Sequence, residues 1–179
     1  MKTRRQALQY AAMGTAAMTI ASEARAAGNA PAIFSGHWET GKTFTLKVAG
    51  AMPAADYEFK PAPDMRSYGQ LMSHLAGAVG YYLGQFKGAD VPASVRARQK
   101  QFDKDTVMMY LNTCMDFGSE VIKSLTDETL EKSFQGRPNT PPMTGWDLIF
   151  NAFIHTAHTR GYADVYLRLK GITPPLYSV

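Results

Sequence analysis

Histidine is scarce in this 179-residue chain. Of the four present, His155 and His158 stand three residues apart in FIHTAHTRGYADVYLRLKGITPP, residues Phe153 to Pro175. Imidazoles one turn apart on a helix share a face and can bind one divalent ion. A third imidazole from a neighbouring helix would complete three protein ligands and leave a position open for water or substrate. His74, in SYGQLMSHLAG, is the candidate for that role. The competing reading makes all three packed polar residues, hydrogen-bonded to Tyr81, Tyr82 or Tyr162. On the residues alone both readings stand. His37 has no such partner and reads as a surface residue. Cys114 is the single cysteine, which excludes an intramolecular disulfide. Its flanks, TCMDFG, carry nothing that would activate a nucleophile, so a small buried apolar residue is expected.

The elements that must position these groups read as helices separated by Pro/Gly-rich breaks. A first helix is expected from Phe34 to Ala51, ended by Met52-Pro53. The prolines of DYEFKPAPDMRS exclude helix there. Ser67 then opens a second helix with Gln70 three residues on, an S-x-x-Q capping box, and the helix runs to about Phe86. A third begins at Val95 or Asp103 and runs to Leu125. In it Val107, Tyr110, Leu111, Cys114, Phe117, Val121 and Leu125 recur at three- and four-residue spacing. After RPNTPPMTG a fourth starts near Thr144 and stops at Gly171, with Pro174-Pro175 beyond. No period-2 strand is evident. The expected fold class is all-α, an antiparallel four-helix bundle whose facing side chains build the core and any site.

At ~100° per residue, Arg160, Asp164 and Arg168 form one charged stripe on the fourth helix, expected in solvent. His155, Thr159, Tyr162 and Tyr166 lie roughly opposite, with His158, Val165 and Leu169 alongside, and are assigned inward by elimination. On the second helix Leu71, His74, Leu75, Ala78, Tyr82 and Leu83 make one face, which turns His74 inward as well.

The N-terminus has a separate purpose. MKTRRQALQYAAMGTAAMTIASEARAAG combines a basic head with Arg4-Arg5, a weakly apolar run from Ala11 to Ala21, and small residues around Ala24-Arg25-Ala26. That order is a secretory leader, and the paired arginines point to the twin-arginine route into the periplasm. Cleavage is expected after Ala26, leaving residues 27–179 as one domain. The leader holds Lys2, Arg4, Arg5 and Arg25 against Glu23, so the remainder has 15 basic and 14 acidic residues. The basic balance therefore belongs mostly to the leader. With no basic run and no basic-aromatic motif, nucleic-acid binding is not expected, nor does a second apolar span suggest a membrane.

DYEFKPAPDMRSYGQLMSHLAG, followed far downstream by HTAHTRGYADVYLRLKGITPP, resembles the DinB-like (damage-inducible protein) family over about Phe34 to Pro175. The resemblance implies an up-down-down-up four-helix bundle. It also implies a divalent metal, zinc or nickel, held by one histidine of the second helix and two of the fourth. The first two ligands fall on His74 and His155. The position of the third is Thr159 in this chain, with His158 one residue early. A hydroxyl is a poor ligand for such metals beside imidazole, so either His158 swings round to complete the set or the site holds only two good ligands. Some relatives are thiol-dependent transferases or isomerases, and members often pair as homodimers.

Two function classes follow. In one, the protein is a metal-dependent hydrolase or transferase acting on a small molecule. A metal on His74, His155 and His158 would then serve as Lewis acid, with Tyr82, Tyr162 or Arg66 supplying polar contacts. In the other it is a non-catalytic binding or stress-associated bundle with a degenerate metal site. The lack of a carboxylate on the histidine face favours the second class, and the presence of His74 and His155 the first.

Overall fold

The computed structural model of the chain describes residues 30–136 and 138–177. The expected leader, residues 1–26, lies outside them. Among the described residues the helices are α1 (Ala30–Ala51), α2 (Tyr68–Gly84), the single-turn α3 (Ala93–Arg96), α4 (Lys104–Lys123), the short α5 (Asp127–Glu131) and α6 (Gly145–Leu169). The four long ones form the bundle.

Helix boundaries follow local chemistry. Ser67 accepts from the Gln70 N–H while the Gln70 side chain accepts from the Ser67 N–H, and Thr144 and Asp147 repeat that reciprocal cap on α6. Asp103 caps α4 through the Thr106 N–H. Of the two starts open for the third helix, Asp103 is therefore the one used, and Val95 sits in the separate turn α3. At the far end of α6, Gly171 takes a positive φ of 74°, the left-handed conformation that closes a helix at least cost on glycine. The first helix already includes Ala30, ahead of the expected Phe34. One feature was not expected: β1 (Ser133–Phe134) pairs antiparallel with β2 (Met143–Thr144). Two-residue strands are too short to leave an alternation in sequence.

Contacts between helix ends fix the direction of each helix. The Tyr68 hydroxyl donates to the Val48 carbonyl across 2.7 Å, so the start of α2 meets the end of α1. Lys104 donates to the carbonyls of Gly50 and Met52 at 2.7 and 2.9 Å, placing the start of α4 at that same end. There its ammonium also faces the negative pole of the α1 dipole. Tyr166 donates to the Arg66 carbonyl at 2.9 Å, so α6 ends where α2 begins. The starts of α1 and α6 meet through the rings of Phe34 and Trp146, 5.8 Å apart, and of Trp38 and Phe153, 5.5 Å apart. Helices α1 and α6 thus run one way, α2 and α4 the other, in the order up, down, down, up.

The core is continuous through the bundle. Val48, Met72, Leu75, Leu83, Leu111, Met115, Ile122 and Leu167 are each fully buried. At 20–33 cal/mol per Å² of apolar surface, such side chains supply the main drive for assembly. Cys114 belongs to this core. Burial pushes its thiol up to about 12, which leaves it without the thiolate needed for nucleophilic chemistry.

The expected charged stripe on α6 does not lie wholly in solvent. Arg160 is half-buried, with its guanidinium 4.5 Å above the Phe44 ring and 5.9 Å from that of Tyr177. It donates to the Thr45 hydroxyl at 3.1 Å and the Gly41 carbonyl at 3.4 Å. Asp164 is half-buried beside it, and desolvation holds its carboxyl above the usual range. The cover is α1, through Gly41, Phe44 and Thr45, together with the chain after α6, which folds back to seat Tyr177 against Phe44, 5.2 Å between rings. The inward stripe is consequently Thr156, Thr159, Ala163, Tyr166 and Leu167, while His158, Tyr162, Val165 and Leu169, assigned inward, are exposed. Elimination failed because an arginine flanked by aromatic rings can be covered without losing its hydrogen bonds.

Candidate functional site

Antiparallel packing of α2 on α6 sets the site's level. From the Tyr166–Arg66 contact, moving back to His155 and forward to His74 covers about 16 and 12 Å along the two helix axes. The two histidines therefore arrive at nearly the same height. Their rings meet edge to face with centroids 5.0 Å apart. Tyr82, two turns farther along α2, lies 6.1 Å from the His155 ring and closes one side.

His74 is not turned into the core, as its assignment to the helix face implied. It sits at the edge of the buried stripe formed by Leu71, Met72, Leu75, Ala76, Val79 and Leu83, and remains exposed along part of its surface. His155 is half-buried. Both imidazoles are held below the ordinary histidine value. Desolvation is the first cause for each, with the Arg66 guanidinium adding to it at His74 and the neighbours His74, His158 and Arg66 adding at His155. Neutral imidazole is the form that ligates metals.

Thr159, one turn past His155, is buried with its hydroxyl 3.4 Å from His155 Nδ1. In the tautomer whose Nδ1–H donates to this hydroxyl, the Nε2 lone pair is left free. Thr159 is thus placed to orient the ring, a function suited to oxygen even where ligation is not. His158 does not join the pair. It is exposed and packs edge to face on Tyr162, 4.9 Å between centroids. Among the described residues no group of three or more His, Cys, Asp or Glu is arranged to hold a metal ion. The donor set thus fits two positions of a borderline ion, with water left to fill the rest, and not three.

The pair opens onto a cleft of ≈ 880 Å³ between α2 and the long segment that crosses from α2 to α4. From α2 it is lined by Gln70 and Tyr82 among others, from just ahead of that helix by Arg66, and from the crossing segment by Arg96, Arg98 and Gln99. Of the polar contacts anticipated from sequence, Arg66 and Tyr82 reach the wall, whereas Tyr162 lies outside it with His158. The crossing segment's contribution was missed. Its length was the available signal, since connections beyond roughly 12–15 residues in a compact domain are commonly functional. No helix among the described residues is long and apolar enough to cross a membrane.

A family model described as the DinB superfamily matches residues 37–163. Among solved structures, a DinB-like protein from Bacillus subtilis aligns with a TM-score of 0.67 at 22% identity, covering 81% of this chain and 96% of that one. A DinB-like protein from Bacillus cereus aligns with a TM-score of 0.69 at 19% identity, covering 81% and 95%. At such identities the structural likeness speaks for the fold alone. No curated protein matches the chain. The family model spans well over half of the sequence, and both solved relatives share the fold: the chain belongs to the DinB superfamily.

Proposed function

We propose that the protein is an exported DinB-like bundle that binds a divalent metal, zinc or nickel, through His74 and His155. The observation that carries this reading is the meeting of two deprotonation-prone imidazoles from separate helices, 5.0 Å apart, at the mouth of a cleft. When bound, such an ion supplies a Lewis acid that polarises a substrate group or activates a water. The chain's own residues supply the rest. Thr159 orients His155, Tyr82 walls the pair on one side, and Arg66 places a positive charge nearby that favours neutral imidazole and an anionic guest.

A second reading is favoured by a specific observation. With His158 held against Tyr162 and no carboxylate lining the cleft among the described residues, the site has neither a third imidazole nor a carboxylate base. On that reading the protein is a binding or stress-associated bundle without turnover, and the ion is structural or absent.

The leader points to the test system. Protein recovered from the periplasm after export by its own leader is expected to carry zinc or nickel, with metal content falling in His74→Ala and in His155→Ala and unchanged in His158→Ala. Replacing Arg4 and Arg5 by lysine is expected to leave the protein in the cytoplasm. Metal well below stoichiometry in the wild type, unaltered by either of the first two substitutions, sinks the metal reading and leaves the second. Periplasmic protein undiminished by the paired lysines sinks the export route.

A further inference from the structure

The cleft beside the histidines has a charge pattern of its own. Three arginines, Arg66, Arg96 and Arg98, line it, and no Asp or Glu does among the described residues. Arg96 is already committed, donating to the carbonyls of Gly88 and Ala89. Arg66 and Arg98 form no ion pair within the described chain. In a domain with nearly balanced charge, two uncommitted guanidiniums reaching one concave site from its two sides are a local excess of positive charge with no carboxylate of the described lining to balance it.

Their heights along α2 can be read from close contacts. The crossing segment runs antiparallel to α2: Val95 packs at Gly80, where an added Cβ would lie 2.8 Å from Val95 Cγ1, and Phe102 packs at Gly69, where it would strike the Phe102 carbonyl. Arg98 lies about midway between these two contacts, so it stands near the level of His74. Arg66, just ahead of α2, stands about 12 Å down the axis from that level. One guanidinium therefore stands beside the histidine pair and the other below it. Beyond Arg98 the wall is made by Val95, Val91 and Tyr110, apolar or aromatic groups that leave room for a tail. The volume, ≈ 880 Å³, falls in the range of small-molecule sites, roughly 300–1,000 Å³.

We propose that this cleft binds a small organic carboxylate with an apolar or aromatic tail, its carboxylate held by Arg66 and Arg98 and its tail laid along the crossing segment toward Val91. Guanidinium matches a planar carboxylate through paired N–H donors, and the Gln70 and Gln99 amides offer further donors, one from each side of the cleft. The ligand class named here does not depend on an ion at His74 and His155.

The probe is phenylbutyrate, titrated calorimetrically into the full folded protein with EDTA present, so that loss of metal and loss of this site remain separable. Binding is expected, weakening as salt is raised, while phenylbutanol and phenylbutylamine bind at least about tenfold more weakly, the scale of a lost charge-assisted contact. Arg66→Gln and Arg98→Gln are each expected to weaken phenylbutyrate by a similar factor, with unchanged circular dichroism. The alcohol binding as well as the acid, or both variants binding it like wild type, overturns the proposal. Inorganic phosphate matching phenylbutyrate also overturns it, because the site would then be a simple anion site with no place for a tail.

Discussion

Thr159 Oγ1 and His155 Nδ1 lie 3.4 Å apart on successive turns of α6, with the threonine almost fully buried. This pairing puts an oxygen beside the imidazole that the resemblance names as a ligand, at the position where a further imidazole would stand.

Restoring that imidazole is the direct trial of the position. Thr159→His is expected to raise zinc affinity by at least about tenfold, as a chelating third nitrogen joins His74 and His155. Competition against a fluorescent zinc chelator measures it, with circular dichroism confirming that the buried site accepts the larger ring. A folded variant with wild-type affinity would show that the pair is not a metal site in this chain.

The histidine pair also predicts a pH dependence of stability. His74 and His155 both have folded values below the ordinary 6.5. As pH falls through 6.5, unfolded imidazoles take up protons before the native ones do. The unfolded state then binds more protons, so stability falls with falling pH between 6.5 and the lower native values, and is fully present above 6.5. Asp164 acts with the opposite sign, because its native value is raised above 3.8. Between 3.8 and that raised value the native state holds more proton, and stability gains as pH falls. Urea midpoints measured with EDTA present should therefore drop from neutrality into the mildly acidic range. A His74→Ala, His155→Ala double variant should lose part of that slope, and an unchanged slope would count against desolvation at the pair.

Packing at the crossing of α1 and α4 predicts a contrast between two glycines. Trp38 donates its indole N–H to the Met115 carbonyl at 3.3 Å, and its ring lies directly over Gly118. A Cβ on Gly118 would collide with that ring and stand 3.0 Å from Leu83 Cδ1. Gly118→Ala is expected to destabilise by about 1–3 kcal/mol, the usual penalty of overpacking, and to shift tryptophan fluorescence. Gly161, exposed on α6 with nothing within 4 Å of an added Cβ, should behave oppositely. Gly161→Ala is expected to stabilise by about 0.5–1 kcal/mol through helix propensity. Chemical denaturation of the two variants checks both signs.

Much of the bundle was legible because its signals are local. Ser67-x-x-Gln70 and the run into Gly171 specify helix ends by hydrogen bonds within a few residues, and both ends stand where the sequence places them. Cys114 in a stripe of apolar residues was legible as core for a similar reason, since three- and four-residue periodicity reports burial directly. The site was only half legible. His74 and His155 do meet, but the rotation of α6 about its axis was misread, because Arg160 was assumed to need water. Its cover comes from Phe44 on α1 and from Tyr177 beyond the helix, neither of which shares a periodicity with α6.

Sequence by itself determined the four long helices, the Ser67 cap and the Gly171 stop, the family likeness and the three candidate histidines His74, His155 and His158. These depend on short-range hydrogen bonding and on apolar spacing along one chain segment. Tertiary structure alone decided three things: which ring pairs with which, that His158 belongs to Tyr162 rather than to the pair, and that the crossing segment brings Arg98 to the level of His74. Such choices depend on axial register and rotation between helices distant in sequence. Those are set by the summed packing of the whole core, and no local pattern encodes them.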